Sequence, residues 1–129
     1  MVTSAFEVIG VVTQVAAAHQ LSLTQLRVLA ILRDRTPRMS DLAAHLGLDR
    51  STVSGLIDRA ETTGLVERRA DAADGRAARV ALTDTGRALA IAGAREIAAG
   101  ITPLLARLSD PQRRQLAALL ELVGPGRGD

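Results

Sequence analysis

The chain has 129 residues, a formal net charge of +2 at pH 7 and no cysteine, so disulfides, thiol redox switches and zinc–thiolate sites are excluded. Its length fits one domain, and its single aromatic residue, Phe6, argues against base stacking on single-stranded nucleic acid. No apolar run approaches the ~20 residues that span a bilayer, and no signal segment opens the chain. We therefore expect a cytoplasmic protein with no membrane partner.

The basic side chains are arginines without any lysine, which raises the sequence pI to about 10.8. Between Met39 and Thr83, however, acidic residues slightly outnumber the arginines. A phosphate-binding face in this segment must therefore come from the arrangement of charges rather than from bulk charge.

Apolar residues recur at spacings of three and four between residues 4 and 19, which predicts an amphipathic helix. The apolar stripe is wider than one neighbour in a small monomer covers, so we expect contact with a second copy of the chain. An intramolecular core helix is the alternative. A second helix begins at the capping box Ser22 to Gln25 and ends before Pro37.

Two short helices joined at Gly47 follow, the first over about residues 40–46 and the second ending at Gly64. Asp49 or Ser51 can cap the second helix, whose apolar stripe leaves its first turn and outer face polar. Small polar residues and arginines are the types that hold phosphates and read base edges. The DNA-contact candidates on this helix are Arg50, Ser51, Thr52, Ser54, Gly55 and Arg59. In the alternative interpretation the hydroxyls only cap the helix and the last arginine pairs with an acid.

Two strands, roughly 65–70 and 77–82, then predict a β-hairpin with a polar tip. Asp74 lies two residues before Arg76, so its carboxylate is expected to brace the guanidinium as it projects towards a narrow minor groove. An exposed turn arginine without a partner is the alternative. Arg38, before the helix pair, and Arg79, on the second strand, complete the DNA-contact candidates.

Thr83 is predicted to cap a long helix over about residues 84–107 that breaks near Pro103, and a capping box at Ser109 opens a last helix.

The order of helix, turn, helix and hairpin is typical of a winged helix-turn-helix, which places one helix in the DNA major groove. We predict a mainly α fold with a small β-hairpin wing (α+β). The single domain over 1–129 divides into a DNA-binding lobe at 21–87, dimerisation helices at 1–20 and 88–124, and a tail at 125–129.

Several spaced motifs occur together along residues 20–124. They are Leu21-Ser22-x-x-Gln25-x-x-Val28-Leu29, Met39-Ser40-Asp41-Leu42-Ala43, Asp49-Arg50-Ser51-Thr52-Val53-Ser54, Leu56-Ile57-Asp58-Arg59, Gly64-Leu65-Val66-x-Arg68, Asp74-x-Arg76 and Leu82-Thr83-x-x-Gly86. In this order and spacing the chain resembles the MarR (multiple antibiotic resistance regulator) family. The resemblance implies a homodimer that binds a pseudo-palindromic operator, usually as a repressor released by small aromatic or phenolic molecules. It also implies major-groove contacts from the second short helix and a wing contact from Arg76.

No cofactor or metal is expected, because His19 and His45 lie on different predicted helices without clustered carboxylates. His19 lies near the pocket that the resemblance implies and is the one candidate for contact with an effector. No nucleophile stands in a catalytic context, so we predict that the protein is not an enzyme. Two alternatives stay open: a constitutive DNA-binding dimer without effector control, and a helical protein-interaction module that does not bind DNA.

Overall fold

A computed structural model describes residues 1–123, so the tail predicted at 125–129 lies outside the described residues. The structure is mainly helical with one two-stranded antiparallel hairpin, which confirms the predicted fold class. In chain order the elements are α1 (Val2–Ala18), α2 (Leu23–Leu32), α3 (Met39–Leu46), α4 (Arg50–Thr62), β1 (Val66–Ala70), β2 (Ala78–Leu82), α5 (Asp84–Ile101), a 3-10 turn (Thr102–Leu105) and α6 (Asp110–Glu121).

The core lies among α2, α3, α4 and the hairpin, which together form one lobe. Helices α3 and α4 are the predicted helix pair. The core's most deeply buried side chains come from all four of these parts of the chain, because each contributes one apolar face. They are Leu29, Leu32, Leu42, Val53, Ile57, Val66 and Val80.

Short-range signals set the ends of the helices in this lobe. The Ser22 hydroxyl accepts the Gln25 backbone N–H at 3.1 Å, and the side-chain Oε1 of Gln25 accepts the Ser22 backbone N–H at 2.7 Å, so the predicted capping box is confirmed. Gly47, at φ +67°, ends α3, and Gly64, at φ +78°, follows α4. Both glycines take the left-handed backbone that other residues adopt only with strain.

The hairpin is in register from Val66 opposite Leu82 to Ala70 opposite Ala78. The segment just before α3 pairs with the other edge of β2, since Arg38 forms a β-bridge with Arg79 and the Val80 N–H donates to the Pro37 carbonyl at 2.9 Å. We call β1, β2 and the residues between them the wing. This third segment fixes β2 to the start of the helix pair α3 and α4.

The Thr83 hydroxyl accepts the Gly86 N–H at 3.0 Å and caps α5, as predicted. The α-helical part ends at Ile101, and the chain continues as a 3-10 turn that contains Pro103, which confirms the predicted break. Helix α5 packs against α1 and α2, so it joins the lobe to the N-terminal helix.

Large apolar side chains on α1 and α6 lie in solvent in a single chain. Ala16 is the only buried residue of α1, and α6 has none. Among the exposed residues are Phe6 at 69%, Leu119 at 53% and Leu120 at 57% exposure. These faces need a partner if they are to leave water.

The expectation that no apolar stretch approaches the length of a membrane span needs correction. Residues Asp84–Leu105 have a mean hydropathy of 1.4 in their most apolar window and are long enough to cross a membrane. Arg95 and Glu96 lie near the middle of this stretch, and charges at that depth are costly in hydrocarbon. Length and composition alone therefore do not identify the stretch as a membrane span.

Candidate nucleic-acid interface

The N-terminus of α4 is fixed by Asp49, which decides between the two cap candidates. One carboxylate oxygen of Asp49 accepts the Thr52 N–H at 2.7 Å and the Ser51 hydroxyl at 2.8 Å. These hydrogen bonds, the backbone N–H first, lower the pKa of Asp49 and keep the carboxylate charged. Arg50, Ser51 and Thr52 are left exposed on the first turn of α4, as predicted for a helix that enters a groove.

Further along α4, the Arg59 guanidinium lies over Gly55. A Cβ built on this glycine would meet the Arg59 Nη1 at 3.6 Å, so a small residue leaves room for the guanidinium there. Within residues 1–123 no acid pairs with Arg59. The alternative interpretation, in which Arg59 pairs with a neighbouring carboxylate, is therefore wrong for this structure.

The neighbouring acids of α4 are bound instead by Arg68 of β1. Its guanidinium donates to Asp58 and to Glu61, each at 2.7 Å. The hydrogen bond that Arg68 donates to Asp58, supported by the negative charge of Glu61, raises the pKa of Arg68. Sequence analysis missed this contact, which ties the wing to the C-terminal half of α4.

At the tip of the wing, the predicted contact between Asp74 and the Arg76 guanidinium is wrong. The Asp74 carboxylate instead accepts the backbone N–H of Arg76 at 3.0 Å. An aspartate readily accepts a hydrogen bond from the backbone N–H two residues later, which forms an Asx-turn. This N–H is already close to the carboxylate, whereas the Arg76 side chain would have to be held in one conformation to reach it. The Arg76 side chain is exposed, and its guanidinium has no protein partner in the described part of the chain, which matches the alternative interpretation.

Arg38, Arg50 and Arg76 line one cleft of about 350 Å³ between the wing and the starts of α3 and α4. We call this the arginine cleft; its other lining residues are Met39, Ser40, Ala77 and Ala78. The lining contains no carboxylate, although the surrounding segment is nearly neutral. Arginine is well suited to phosphate binding, because its planar guanidinium carries a permanent positive charge and donates two parallel hydrogen bonds to phosphate oxygens.

A second cluster of arginines lies around Asp71, where β1 ends and the loop to the wing tip begins; sequence analysis did not single out this aspartate. Asp71 Oδ2 accepts the Arg38 Nε–H at 2.5 Å and lies 3.3 Å from the Arg79 Nε. Arg79 also donates from Nη1 to the Thr36 carbonyl at 2.8 Å. The N–H of Ala73, followed by Arg38, lowers the pKa of Asp71. No sequence signal could have found this cluster, because Arg38 and Asp71 are 33 positions apart.

The remaining candidates on α4, Ser54 and Gly55, are half-buried, whereas Arg59 is exposed. Arg59 lies beyond the arginine cleft and lines a different cavity of about 520 Å³. The structure thus brings Arg38, Arg50 and Arg76 together but places Arg59 apart from them.

This second cavity, which we call the inner cavity, lies between the α1–α2 turn, the end of α4 and α5. Its lining residues are His19, Gln20, Leu21, Gln25, Asp58, Arg59, Thr62, Thr63, Leu65 and Leu89. His19 contacts Glu96 of α5, with Nε2 and Oε2 2.8 Å apart, so a carboxylate does lie beside this histidine. Among residues 1–123, no three or more His, Asp or Glu side chains are grouped to hold a metal ion.

The fold and the arginine cleft define a winged helix-turn-helix protein, and comparison with known proteins agrees. The model of the MarR family matches residues 19–77. An HTH-type transcriptional repressor of Mycobacterium tuberculosis is 31% identical over 112 residues, covering 84% of this chain and 81% of the relative. The chain belongs to the MarR family, whose members among these relatives are transcriptional regulators rather than enzymes.

Solved structures of the family share the whole architecture. A MarR-family regulator from Rhodococcus sp. RHA1 is 26% identical with a TM-score of 0.77, covering 92% of this chain and 85% of its own. The repressor CouR, bound to a 23-mer DNA duplex, is 26% identical with a TM-score of 0.74, covering 92% and 84%. CouR from Rhodococcus jostii RHA1 bound to p-coumaroyl-CoA is 25% identical with a TM-score of 0.73, with the same coverage.

Proposed function

We propose that the protein is a cytoplasmic, sequence-specific repressor that binds a pseudo-palindromic operator in double-stranded DNA as a homodimer. The observation that carries this proposal is the arginine cleft, where Arg38, Arg50 and Arg76 meet beside the exposed first turn of α4. In this arrangement α4 enters the major groove, and the arginines of the cleft and wing hold the flanking backbone. The similarity to CouR on a DNA duplex supports the proposal.

The homodimer is supported by the apolar faces of α1 and α6, which a single chain leaves in water. Two copies that bury these faces against each other would present two lobes related by a two-fold axis. A two-fold protein then requires two half-sites in inverted orientation, which is why we expect the operator to be pseudo-palindromic.

We further propose that a small aromatic or phenolic molecule binds in the inner cavity and releases the DNA. The cavity combines the apolar side chains of Leu21, Leu65 and Leu89 with polar groups from His19 and Arg59, as a small-molecule site requires. It also touches the end of α4, so a ligand there would act on the helix that contacts DNA. The similarity to CouR bound to p-coumaroyl-CoA supports an organic ligand of this kind.

The proposed operator binding is tested by selecting bound duplexes from a random DNA pool and measuring the affinity for the most enriched duplex at several salt concentrations. An inverted repeat with half-sites about one helical turn apart, about 10 bp, would support a dimeric operator-binding protein. Enrichment of no sequence, with only weak salt-sensitive binding, would instead favour the protein-interaction module.

The effector is tested by thermal unfolding of the protein with a panel of aromatic acids and phenols. A compound that raises the unfolding temperature should also release the selected duplex, and both effects should weaken in His19→Ala, which removes one wall of the inner cavity. A protein that responds to no compound and stays on its duplex would instead be a constitutive DNA-binding dimer.

A further inference from the structure

Asp71 is the only charged or polar residue that is fully buried in the part of the chain that the structure describes, with 2% of its side chain exposed. It directly follows β1 at the loop end of the hairpin and contacts Arg38, which also lines the arginine cleft. A buried carboxylate is costly unless its oxygens are all engaged, and an apolar residue in such a position is often as stable or more so. The role of this side chain therefore calls for an explanation beyond stability.

The two carboxylate oxygens of Asp71 hold different parts of the molecule. Oδ1 accepts the Ala73 N–H at 2.9 Å and so shapes the turn that leads to the wing tip. Oδ2 faces the Arg38 and Arg79 guanidinium groups, which come from the segment before α3 and from β2. One side chain thus joins the wing turn, the wing strand and the start of the helix pair.

The two arginines are held by their inner edges. Arg38 donates only from its Nε to Asp71, and its terminal nitrogens have no acceptor within residues 1–123. Arg79 uses Nε towards Asp71 and Nη1 towards the Thr36 carbonyl. Both side chains remain about two-fifths exposed, at 39% and 40%, so their outer edges are open to a ligand.

We propose that Asp71 is a positioning residue for DNA recognition: it sets the Arg38 and Arg79 guanidinium groups in one orientation and fixes the wing to the helix pair. The inference rests on the proposed DNA-binding function. A negative charge beside a DNA-binding surface opposes attraction to any duplex. What Asp71 adds must therefore be geometry, which raises affinity for the operator relative to other DNA rather than affinity for DNA in general.

The test is Asp71→Asn, measured by titration against the selected operator and against an unrelated duplex at the same salt concentration. We expect operator affinity to fall by about tenfold or more while affinity for the unrelated duplex is unchanged or rises, because the side chain loses a negative charge. The matched control is Glu67→Gln, which removes the same charge from the same hairpin at a side chain that is bound to Arg69 and not to Arg38 or Arg79. The control should keep the wild-type ratio of the two affinities.

Asp71→Glu keeps the charge and moves the carboxylate by one methylene, and it serves as the second variant if Asp71→Asn does not fold. It too should lose operator affinity selectively. Equal losses on both duplexes, equal gains, or an unchanged ratio in a folded variant would overturn the positioning role. A wild-type protein that prefers no duplex would remove the proposed function and this inference with it, which is a distinguishable result.

Discussion

Gly86, in the first turn of α5, lies directly against the backbone of Leu65. A Cβ built on this glycine would come within 1.9 Å of the Leu65 carbonyl oxygen and 2.8 Å of its carbonyl carbon. The same oxygen accepts the Thr83 N–H at 3.1 Å, just before α5 begins. The helix is therefore seated on the residue that precedes β1, and only glycine permits this approach.

We predict that Gly86→Ala lowers the free energy of unfolding by about 3 kcal/mol, because the clash is with backbone that cannot rotate away. Urea unfolding followed by circular dichroism measures the effect. Gly75→Ala is the control, since a Cβ there meets nothing within 4 Å. Equal stability of the Gly86 and Gly75 variants would show that α5 is not seated on Leu65 as described.

The lowered pKa values of Asp49 and Asp71 predict how the free energy of unfolding depends on pH. The Thr52 N–H, followed by the Ser51 hydroxyl, lowers the pKa of Asp49; the Ala73 N–H, followed by Arg38, lowers that of Asp71. The unfolded chain, with ordinary aspartate pKa values of about 3.9, therefore binds these protons more readily than the folded chain. The stability that the two groups contribute is complete above about pH 4 and is lost as the pH falls through their lower folded values.

Denaturant titrations between about pH 7 and about pH 3 measure this loss on the acid side. Asp49→Asn and Asp71→Asn should each make the acid limb of the stability profile shallower, since an amide does not titrate. Acid limbs as steep as that of the wild type in both variants would assign the pH dependence to other groups.

Signals that act within about four residues predicted most of the local structure. The caps at Ser22, Thr83 and Ser109 were predicted, as were the turn at Gly47 and the left-handed glycine at Gly64, because each depends on hydrogen bonds or backbone freedom close by in sequence. The same applies to the break before the 3-10 turn, where a proline removes a backbone donor.

Contacts between distant segments were not predictable in this way. Asp71 meets Arg38 only because the wing folds back on the start of the helix pair, and nothing within either segment indicates it. The error at Asp74 has a different cause: the spacing to Arg76 was right, but the backbone N–H competes better for the carboxylate than the side chain does. The sequence thus identified candidate residues by their chemical type, whereas only the structure identified their hydrogen-bond partners.

The exposed Arg76 side chain predicts a direct wing contact with DNA. Arg76→Ala should weaken operator binding by about 1–3 kcal/mol and make its salt dependence shallower by about one ion, because one phosphate contact is lost. Fluorescence anisotropy titrations at several salt concentrations measure both quantities. Unchanged affinity would remove Arg76 from the interface.

Arg69→Ala is the matched control on the same hairpin. The Arg69 guanidinium is held by Glu67, with its Nε 2.8 Å from the carboxylate. Arg69→Ala therefore removes the same charge as Arg76→Ala, but it removes a guanidinium that is already paired and is less available to a phosphate. We expect a smaller loss of affinity than for Arg76→Ala. Equal losses would indicate that the wing acts through its overall charge rather than through a particular contact.

The apolar face of α6 predicts where the two copies of the chain meet. Leu119 is 53% exposed in a single chain, and a glutamate placed there would put an unpaired charge into the proposed dimer contact. Leu119→Glu should therefore split the dimer or unfold it, as measured by light scattering after gel filtration together with circular dichroism. Ala118→Glu is the control, because this exposed position lies on the side of α6 opposite the centre of the stripe formed by Leu116, Leu119 and Leu120 and adds the same charge. A folded, dimeric Leu119→Glu protein would show that α6 is not part of the contact, and loss of the dimer in both variants would trace the effect to added charge alone.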